Sequence, residues 1–338
     1  MLIVDDSMLA RNIIKNGLKQ YPEIQVVGEA INAMDARRKL PQLKPDVMTL
    51  DVEMPGMNGI DFVKSILPSH PIPIILVSSL NLRVFDALSV GAVDFVRKPD
   101  GAGTTNEQFI RALANKITIA SYARVRRPAA VRTQTAAPPV PGVLRTSGET
   151  IIGLGASTGG TEATLEVLKR LPANTPGVVV VQHMPPGFTK MYAERLDRNC
   201  PMQVKEAENG DVIQPGRVLI APGDKQMRVV RSGMRYTVSC QAGPKVSGHC
   251  PSVDALFLSM AENVHCHMVG IIMTGMGSDG AKGLLEMRKR GAFTIGQDKD
   301  SCVVYGMPMV ANNIGAVAQQ ASCENIAGIV VSHLGGRR

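Results

Sequence analysis

Tryptophan is absent from this 338-residue chain, and aromatic residues make up only 4% of it. No aromatic-basic ladder of the kind that stacks nucleic-acid bases is visible. The six cysteines (Cys200, Cys240, Cys250, Cys266, Cys302 and Cys323) stand apart, with no C-x-x-C. That spacing excludes a disulfide scaffold and a zinc ribbon, and it fits a reducing compartment. Apolar runs such as residues 72–77 and 177–181 fall far short of the ~20 residues needed to cross a bilayer. No charged segment followed by an apolar stretch opens the chain, so no signal peptide is expected. With 44% hydrophobic and 20% charged residues, wholesale disorder is excluded. At about 100–200 residues per domain, two domains are expected.

The net charge of +8 is unevenly spread. Residues 1–119 are net neutral, and residues 149–338 carry 19 basic and 16 acidic side chains. Residues 120–148 hold five arginines and no acid, in a stretch rich in Ala, Pro and Thr. Such a composition buries no core and reads as a flexible basic linker. Neither flank is strongly basic and no helix-turn-helix pattern stands out, so nucleic-acid binding is not expected.

In residues 1–119, apolar runs at 2–4, 25–29, 47–50, 72–77 and 93–96 read as strands. Helical patterns at 8–20, 33–43, 59–67, 82–90 and 105–122 alternate with them. That alternation predicts a doubly wound parallel sheet, with function at the carboxyl ends of the strands. Asp5 and Asp6 follow the first strand, Asp51 the third, Ser78 the fourth and Lys98 the fifth. Three carboxylates at one rim repel unless a cation neutralises them, and hard oxygen ligands suit Mg²⁺. Lys98 and the Ser78 hydroxyl are placed to hold a phosphoryl group. Any one of these acids alone reads as a helix N-cap or loop residue.

The stretches V-D-D-S, T-L-D-V-E-M-P-G-M-N-G, V-S-S and F-V-R-K-P resemble the receiver domain of two-component response regulators, a flavodoxin-like fold. The resemblance implies that Asp51 accepts phosphate from a chemotaxis histidine kinase. It implies that Asp6, Asp51 and the Glu53 carbonyl hold Mg²⁺, with Asp5 helping through water. Ser78 and Lys98 match the phosphate-sensing pair, and Phe95 the aromatic switch position. One departure is the first strand, which has about three residues before Asp5. A clipped or late-assigned start is one reading, and a less stable receiver is the expectation.

Residues 149–338 show strand and helix patterns again, without repeating the first domain. A strand at 150–154 runs into G-A-S-T-G-G and a helix, the strand–G-x-S-x-G–helix pattern of a nucleophile elbow. Ser157 is the candidate nucleophile. Two other readings compete. Ser157 is an N-cap in one. In the other, the glycines form a dinucleotide loop, which expects an acid after the next strand. That strand, at 177–181, ends in Gln182 and His183 instead. His183 is then the candidate base, with His249 the one rival kept. His70, His265, His267 and His333 are less persuasive. After a strand at 268–272, M-T-G-M-G-S-D-G delivers Asp279, either as an N-cap or as the acid that fixes the imidazole tautomer. The flexible loop at Met276 is able to turn an N–H toward an oxyanion. The order Ser…His…Asp differs from that of α/β-hydrolases, so another fold is expected.

G-A-S-T-G-G, Q-H-M-P-P-G-F, A-P-G-D, P-S-V-D-A-L-F, M-T-G-M-G-S-D-G-A-K-G-L and V-Y-G-M-P resemble the Rossmann-like catalytic domain of CheB-type chemotaxis methylesterases. The resemblance implies Ser157 as nucleophile, His183 as general base and acid, and Asp279 as orienting acid. Met276 matches the oxyanion N–H and Thr158 a supporting residue. It implies hydrolysis of glutamate methyl esters and deamidation of glutamines on methyl-accepting chemoreceptors, without a cofactor for the esterase step. It also implies a cytoplasmic location at receptor arrays, and a receiver that packs over the esterase rim until phosphorylated. Cys250 stands where the family often has Arg, which weakens expected docking to an acidic receptor helix. Leu258 and Cys302 replace other frequently polar positions. Two competing functions are a response regulator whose second domain only binds a partner, and a nucleotide-binding output domain.

Overall fold

The computed structural model describes residues 1–78, 83–99, 105–125 and 149–336. The chain divides into two compact units, Met1–Arg132 and Thr133–Arg338. The division lies among residues 126–148, so most of the expected linker falls outside the described residues.

The first unit alternates strand and helix throughout. Its strands are β1 (Leu2–Val4), β2 (Gly28–Ala30), β3 (Met48–Asp51), β4 (Ile74–Ser78) and β5 (Asp94–Arg97). Between and after them run α1 (Met8–Leu18), α2 (Ala33–Leu43), α3 (Gly59–Ile66), α4 (Arg83–Ser89) and α5 (Asn106–Ser121). All ladders are parallel, in the order β2-β1-β3-β4-β5. The central strands are apolar and buried on both faces, as helices on both sides of a parallel sheet require. Helix starts are set by side-chain caps: Ser7, Asn32 and Asn58 each accept an N–H from their own first turn, and Thr105 with Gln108 forms a capping box. The second strand is shorter than the apolar run at 25–29 suggests. It is paired over only three residues, Gly28–Ala30, because β1 offers only Leu2–Val4 as partner. Upstream, the Met1 ammonium donates to the Gln25 carbonyl at 2.6 Å, and Val27 N–H to the Met1 carbonyl at 3.0 Å.

The second unit opens with β6 (Thr150–Ala156), α6 (Gly160–Leu168), β7 (Gly177–Gln182), α7 (Phe188–Asn199), β8 (Gln203–Glu206) and β9 (Arg217–Ile220). A hairpin of β10 (Gln226–Ser232) and β11 (Arg235–Gln241) follows, then α8 (Val253–Asn263). The remainder is β12 (His267–Ile272), α9 (Ala281–Lys289), β13 (Phe293–Gln297), α10 (Met307–Asn313), β14 (Gln319–Ala321) and α11 (Cys323–Gly335). Seven parallel strands lie in the order β14-β13-β12-β6-β7-β9-β8. The antiparallel β10–β11 pair is an insertion that strand-helix alternation did not suggest.

The strand β6 sits at the centre, between β12 and β7, and is buried along its whole length. It runs two residues past the apolar run at 150–154, because Gly155 and Ala156 still find rungs on Ile272 and Gln182. Helix α8 lies against it, and it is apolar on nearly every side because strand, hairpin and α9 surround it. Close approach requires glycine: a Cβ on Gly155 would overlap the Val253 side chain, and one on Gly153 the Met260 sulfur. Gly155→Ala is expected to cost about 1–3 kcal/mol through this overlap, read as a lower denaturant midpoint of the second unit's transition.

Candidate functional site

The three central strands of the second unit deliver three side chains to one rim. Ser157 follows β6, and its N–H donates to the Thr274 carbonyl just past β12 at 2.9 Å. His183 follows β7, and its N–H donates to the Ala156 carbonyl at 3.1 Å. Asp279 ends the loop between β12 and α9. The sheet's own hydrogen bonds therefore fix how far apart these backbones stand.

Neither Ser157 nor Asp279 caps the helix that follows it. The N-caps of α6, α7 and α9 are Gly159, Gly187 and Gly280, all at positive φ and none with a side-chain cap. The alternative of a capping serine or aspartate is thereby removed.

Asp279 is 2% exposed and engages four donors. His183 Nε2 lies 2.7 Å from its Oδ2, and the Val253 N–H donates to the same oxygen at 2.8 Å. The Ser252 hydroxyl and the Asp254 N–H donate to Oδ1 at 2.8 and 2.9 Å. Ser252, Val253 and Asp254 are the N-cap and first two residues of α8, whose positive dipole end favours a carboxylate. Burial pushes this carboxyl up. The hydrogen bond and charge of His183, then the Asp254 N–H and Ser252 hydroxyl, outweigh burial and hold it below the usual carboxylate range. An ionised carboxylate only accepts, so His183 Nε2 carries a proton, and in the neutral form of the ring Nδ1 holds the lone pair. That Nδ1 is buried and has no hydrogen-bond partner among the described residues.

His249 does not replace His183. Its ring stacks on that of His183, with centroids 3.8 Å apart and planes 10° from parallel. Thr158 is 1% exposed, and its carbonyl accepts the Thr274 hydroxyl at 3.0 Å. Met276 is 38% exposed on the loop after Gly275, whose carbonyl and N–H are engaged by Gly306, Met307 and Val304. Cys250 and Leu258 are half-buried and Cys302 is buried.

Several contributors were not singled out from the sequence. Gln182, weighed only as a missing acid, is 3% exposed and donates to the Ser157 carbonyl at 2.8 Å. Gln297, at the end of β13, accepts the Thr274 N–H at 2.8 Å. Ser252 orients Asp279, and Gln226 accepts the Ser252 N–H at 2.9 Å. The available signal was a polar amide ending an apolar strand, in Gln182 and Gln297 alike.

At the receiver-like rim, ligand oxygens of Asp5, Asp6 and Asp51 lie within 4.8 Å of one another. Lys98 Nζ stands 2.7 Å from Asp51 Oδ2 and 3.0 Å from Asp5 Oδ2. Burial leaves Asp51 above the usual aspartate value despite Lys98. Burial also pulls Lys98 down, but Asp51 and Asp5 outweigh it and hold the ammonium above the ordinary lysine value. Three carboxyl groups thus face one ammonium, and their all-oxygen donors fit a hard divalent cation. Glu53 donates its N–H to Asp51 Oδ1 at 3.2 Å. The Ser78 hydroxyl, at the end of β4, is buried with no hydrogen-bond partner among the described residues. Phe95 is buried and packs edge-on against Phe85, with centroids 6.3 Å apart.

Among the described residues, no helix is long and apolar enough to cross a membrane. A family model described as a response regulator receiver domain matches residues 1–107, and one described as CheB methylesterase matches residues 152–330. A protein-glutamate methylesterase/protein-glutamine glutaminase 2 of Syntrophomonas wolfei is 51% identical over 94% of this chain and 93% of its own length. A protein of the same description from Pseudomonas aeruginosa is 44% identical over 100% of this chain and 97% of its own. The crystal structure of the Thermotoga maritima CheB methylesterase catalytic domain superposes with a TM-score of 0.53 at 37% identity, covering 55% of this chain and 99% of that one. A receiver domain joined to a hydrolase-like rim, matched along nearly its whole length by such relatives, places this chain in the CheB methylesterase family.

Proposed function

We propose that this chain hydrolyses γ-methyl esters of glutamate, and deamidates glutamines, on chemoreceptor polypeptides, with Ser157, His183 and Asp279 carrying the chemistry. Full-length relatives named for these two activities support the reading. The observation that carries the assignment of residues is the His183 pair: Nε2 held by a buried carboxylate, Nδ1 buried and unpartnered.

In this mechanism Ser157 Oγ attacks the ester carbonyl carbon, and its proton passes to His183 Nδ1. Asp279 stabilises the imidazolium formed. The oxyanion is met by the Met276 N–H. The tetrahedral adduct expels methoxide, which takes the proton from His183 and leaves as methanol. Water then attacks the acyl-serine and gives its proton to the same nitrogen. Collapse returns a proton to Ser157 and releases the glutamate carboxylate. With a glutamine side chain the leaving group is ammonia.

The receiver unit takes a phosphoryl group on Asp51 from a histidine kinase and thereby raises esterase activity. Asp6, Asp51 and the Glu53 carbonyl would hold Mg²⁺, with Asp5 beside them. The ion supplies charge neutralisation at the phosphoryl oxygens when bound. Lys98 and the Ser78 hydroxyl, which has no partner among the described residues, would meet the phosphoryl group, with Phe95 as the aromatic that responds.

Methanol release from methylated receptor membranes tests the hydrolytic assignment. Ser157→Ala is expected to lower it by about 10³-fold or more, and wild-type release that survives the change would overturn it. Asp51→Asn is expected to abolish stimulation by acetyl phosphate while leaving unstimulated release in place. Asp279→Asn is expected to lower turnover by about 10²–10⁴-fold, since an amide places an N–H against the donors of α8 or His183. It is also expected to lose about 1–3 kcal/mol of stability at neutral pH. The Asp279 carboxyl is depressed in the folded state. Its contribution is therefore present above the ordinary carboxylate range and lost as pH falls through the lowered value. Acid-unfolding curves of wild type and Asp279→Asn should accordingly converge at low pH.

A further inference from the structure

Residues 149–338 carry a small excess of basic side chains, and that excess lies in one place. Residues 224–250 hold five of them (Lys225, Arg228, Arg231, Arg235 and Lys245) against the single acid Asp224. The rest of the unit is slightly acidic.

Five other basic residues of the unit are neutralised locally. Lys169 and Arg170 pair with Glu166, Arg195 with Glu162, Lys205 with Glu208 and Asp211, and Lys289 with Glu286. Among the described residues, none of the five on and beside the hairpin has a carboxylate within ion-pair distance. Arg228 and Arg231 donate to the Ala255 and Gly233 carbonyls at 3.3 and 3.2 Å, contacts that leave their charge without a carboxylate counterpart.

The hairpin presents side chains and not strand edges. Val229 uses its N–H on the Ser259 hydroxyl and its carbonyl on Asn263, both on α8. Val238 donates to the Asp211 carbonyl and accepts from Gly210. One face, with Met227, Val229, Tyr236 and Val238, is buried in the core. The register puts Arg228 opposite Ser239 and Arg235 opposite Ser232 on the other face. Met234, at the tip between Arg231 and Arg235, is 87% exposed. A partner would therefore meet Arg228 and Arg235 on this face and, at the tip, Arg231 from the Met227 and Val229 side together with exposed Met234, while the backbone of Val229 and Val238 is already engaged.

The surface is joined to the reacting groups at its base. Gln226, the first residue of β10, donates to the Pro244 and His249 carbonyls at 3.0 Å each and accepts the Ser252 N–H. The chain leaving β11 leads to His249, stacked on His183. From this base a seven-residue strand reaches roughly 20 Å outward.

We infer that the β10–β11 hairpin and the loop after it form a docking surface for an acidic segment of the polypeptide substrate, and that they grip carboxylates flanking the ester under attack. The inference rests on the proposed esterase reading, which supplies the partner's chemistry: every turnover leaves a new glutamate carboxylate on the substrate. A substrate with several such positions grows more anionic as it is processed, and arginines without a carboxylate partner along the hairpin attract it.

The test uses two labelled helical peptides with the same γ-methyl glutamate ester, one flanked by glutamates and one by lysines. Binding is measured to the full chain carrying Ser157→Ala, so that turnover does not intervene, with acetyl phosphate and Mg²⁺ present. The glutamate-flanked peptide is expected to bind about tenfold more tightly at low salt, with the preference shrinking as salt rises. Adding Arg231→Glu and Arg235→Glu should abolish or invert the preference, whereas Arg231→Lys with Arg235→Lys should retain it. A native hairpin that shows no preference, or a preference that survives the double reversal, overturns the inference. Hydrolysis is followed separately with Ser157 intact. A binding preference without Ser157-dependent hydrolysis would remove the esterase reading and leave the docking surface standing.

Discussion

A buried carboxylate organises the second unit. An ionised aspartate shut away from water is unfavourable by many kcal/mol unless its lone pairs are met. Asp279 meets them with donors from two distant segments, His183 after β7 and the first turn of α8. The arrangement works only if α8 begins at the rim, and α8 reaches that point because β6 presents Gly153 and Gly155 beneath it. The glycines therefore matter to the imidazole, through the helix and then the carboxylate. Packing and the orientation of His183 depend on the same few atoms.

The first unit solves its rim in the opposite sense. Asp279 has its lone pairs filled and sits below the ordinary carboxylate range. Asp51 shares one lysine with Asp5, and burial keeps it above that range. A satisfied carboxylate serves as a fixed support. An under-neutralised one invites a cation and, with it, a phosphoryl group. Both rims stand at the carboxyl ends of parallel strands, where loops are free to vary while the sheet holds their roots. The difference lies in how many donors the surrounding elements direct at each acid.

Much of this was legible along the chain. Strand-helix alternation placed the parallel sheets, and the proposed site residues stand at the end of a strand or in the loop after it, except Phe95, which lies within β5. The bounds moved where pairing, and not local apolarity, sets them: β2 is limited by β1, while β6 is extended by β12 and β7. The hairpin was not legible, because its inward side chains alternate with Arg228 and other polar residues and meet their partners only in three dimensions. Nor was the role of Gln182, which takes its meaning from the Ser157 carbonyl on the neighbouring strand. His249 was kept as a rival for the base on position alone. Only the fold shows it lying flat against His183, with the carboxylate bonded to the other ring.

Glycine at the three rim junctions explains why chemistry and helix formation do not compete there. A serine or aspartate at an N-cap spends its oxygen on the backbone of its own helix. Gly159, Gly187 and Gly280 take those positions at positive φ, where glycine carries no steric penalty. Ser157, two residues before Gly159, keeps its hydroxyl out of the cap, and Asp279, one residue before Gly280, turns its oxygens to α8 and His183. The first turns of α6, α7 and α9 are left without side-chain caps at a rim where a reaction would develop negative charge. Helix N-termini in that condition favour an anion. The same glycines that end the strands sharply thus release the side chains and leave positive potential where the proposed oxyanion forms.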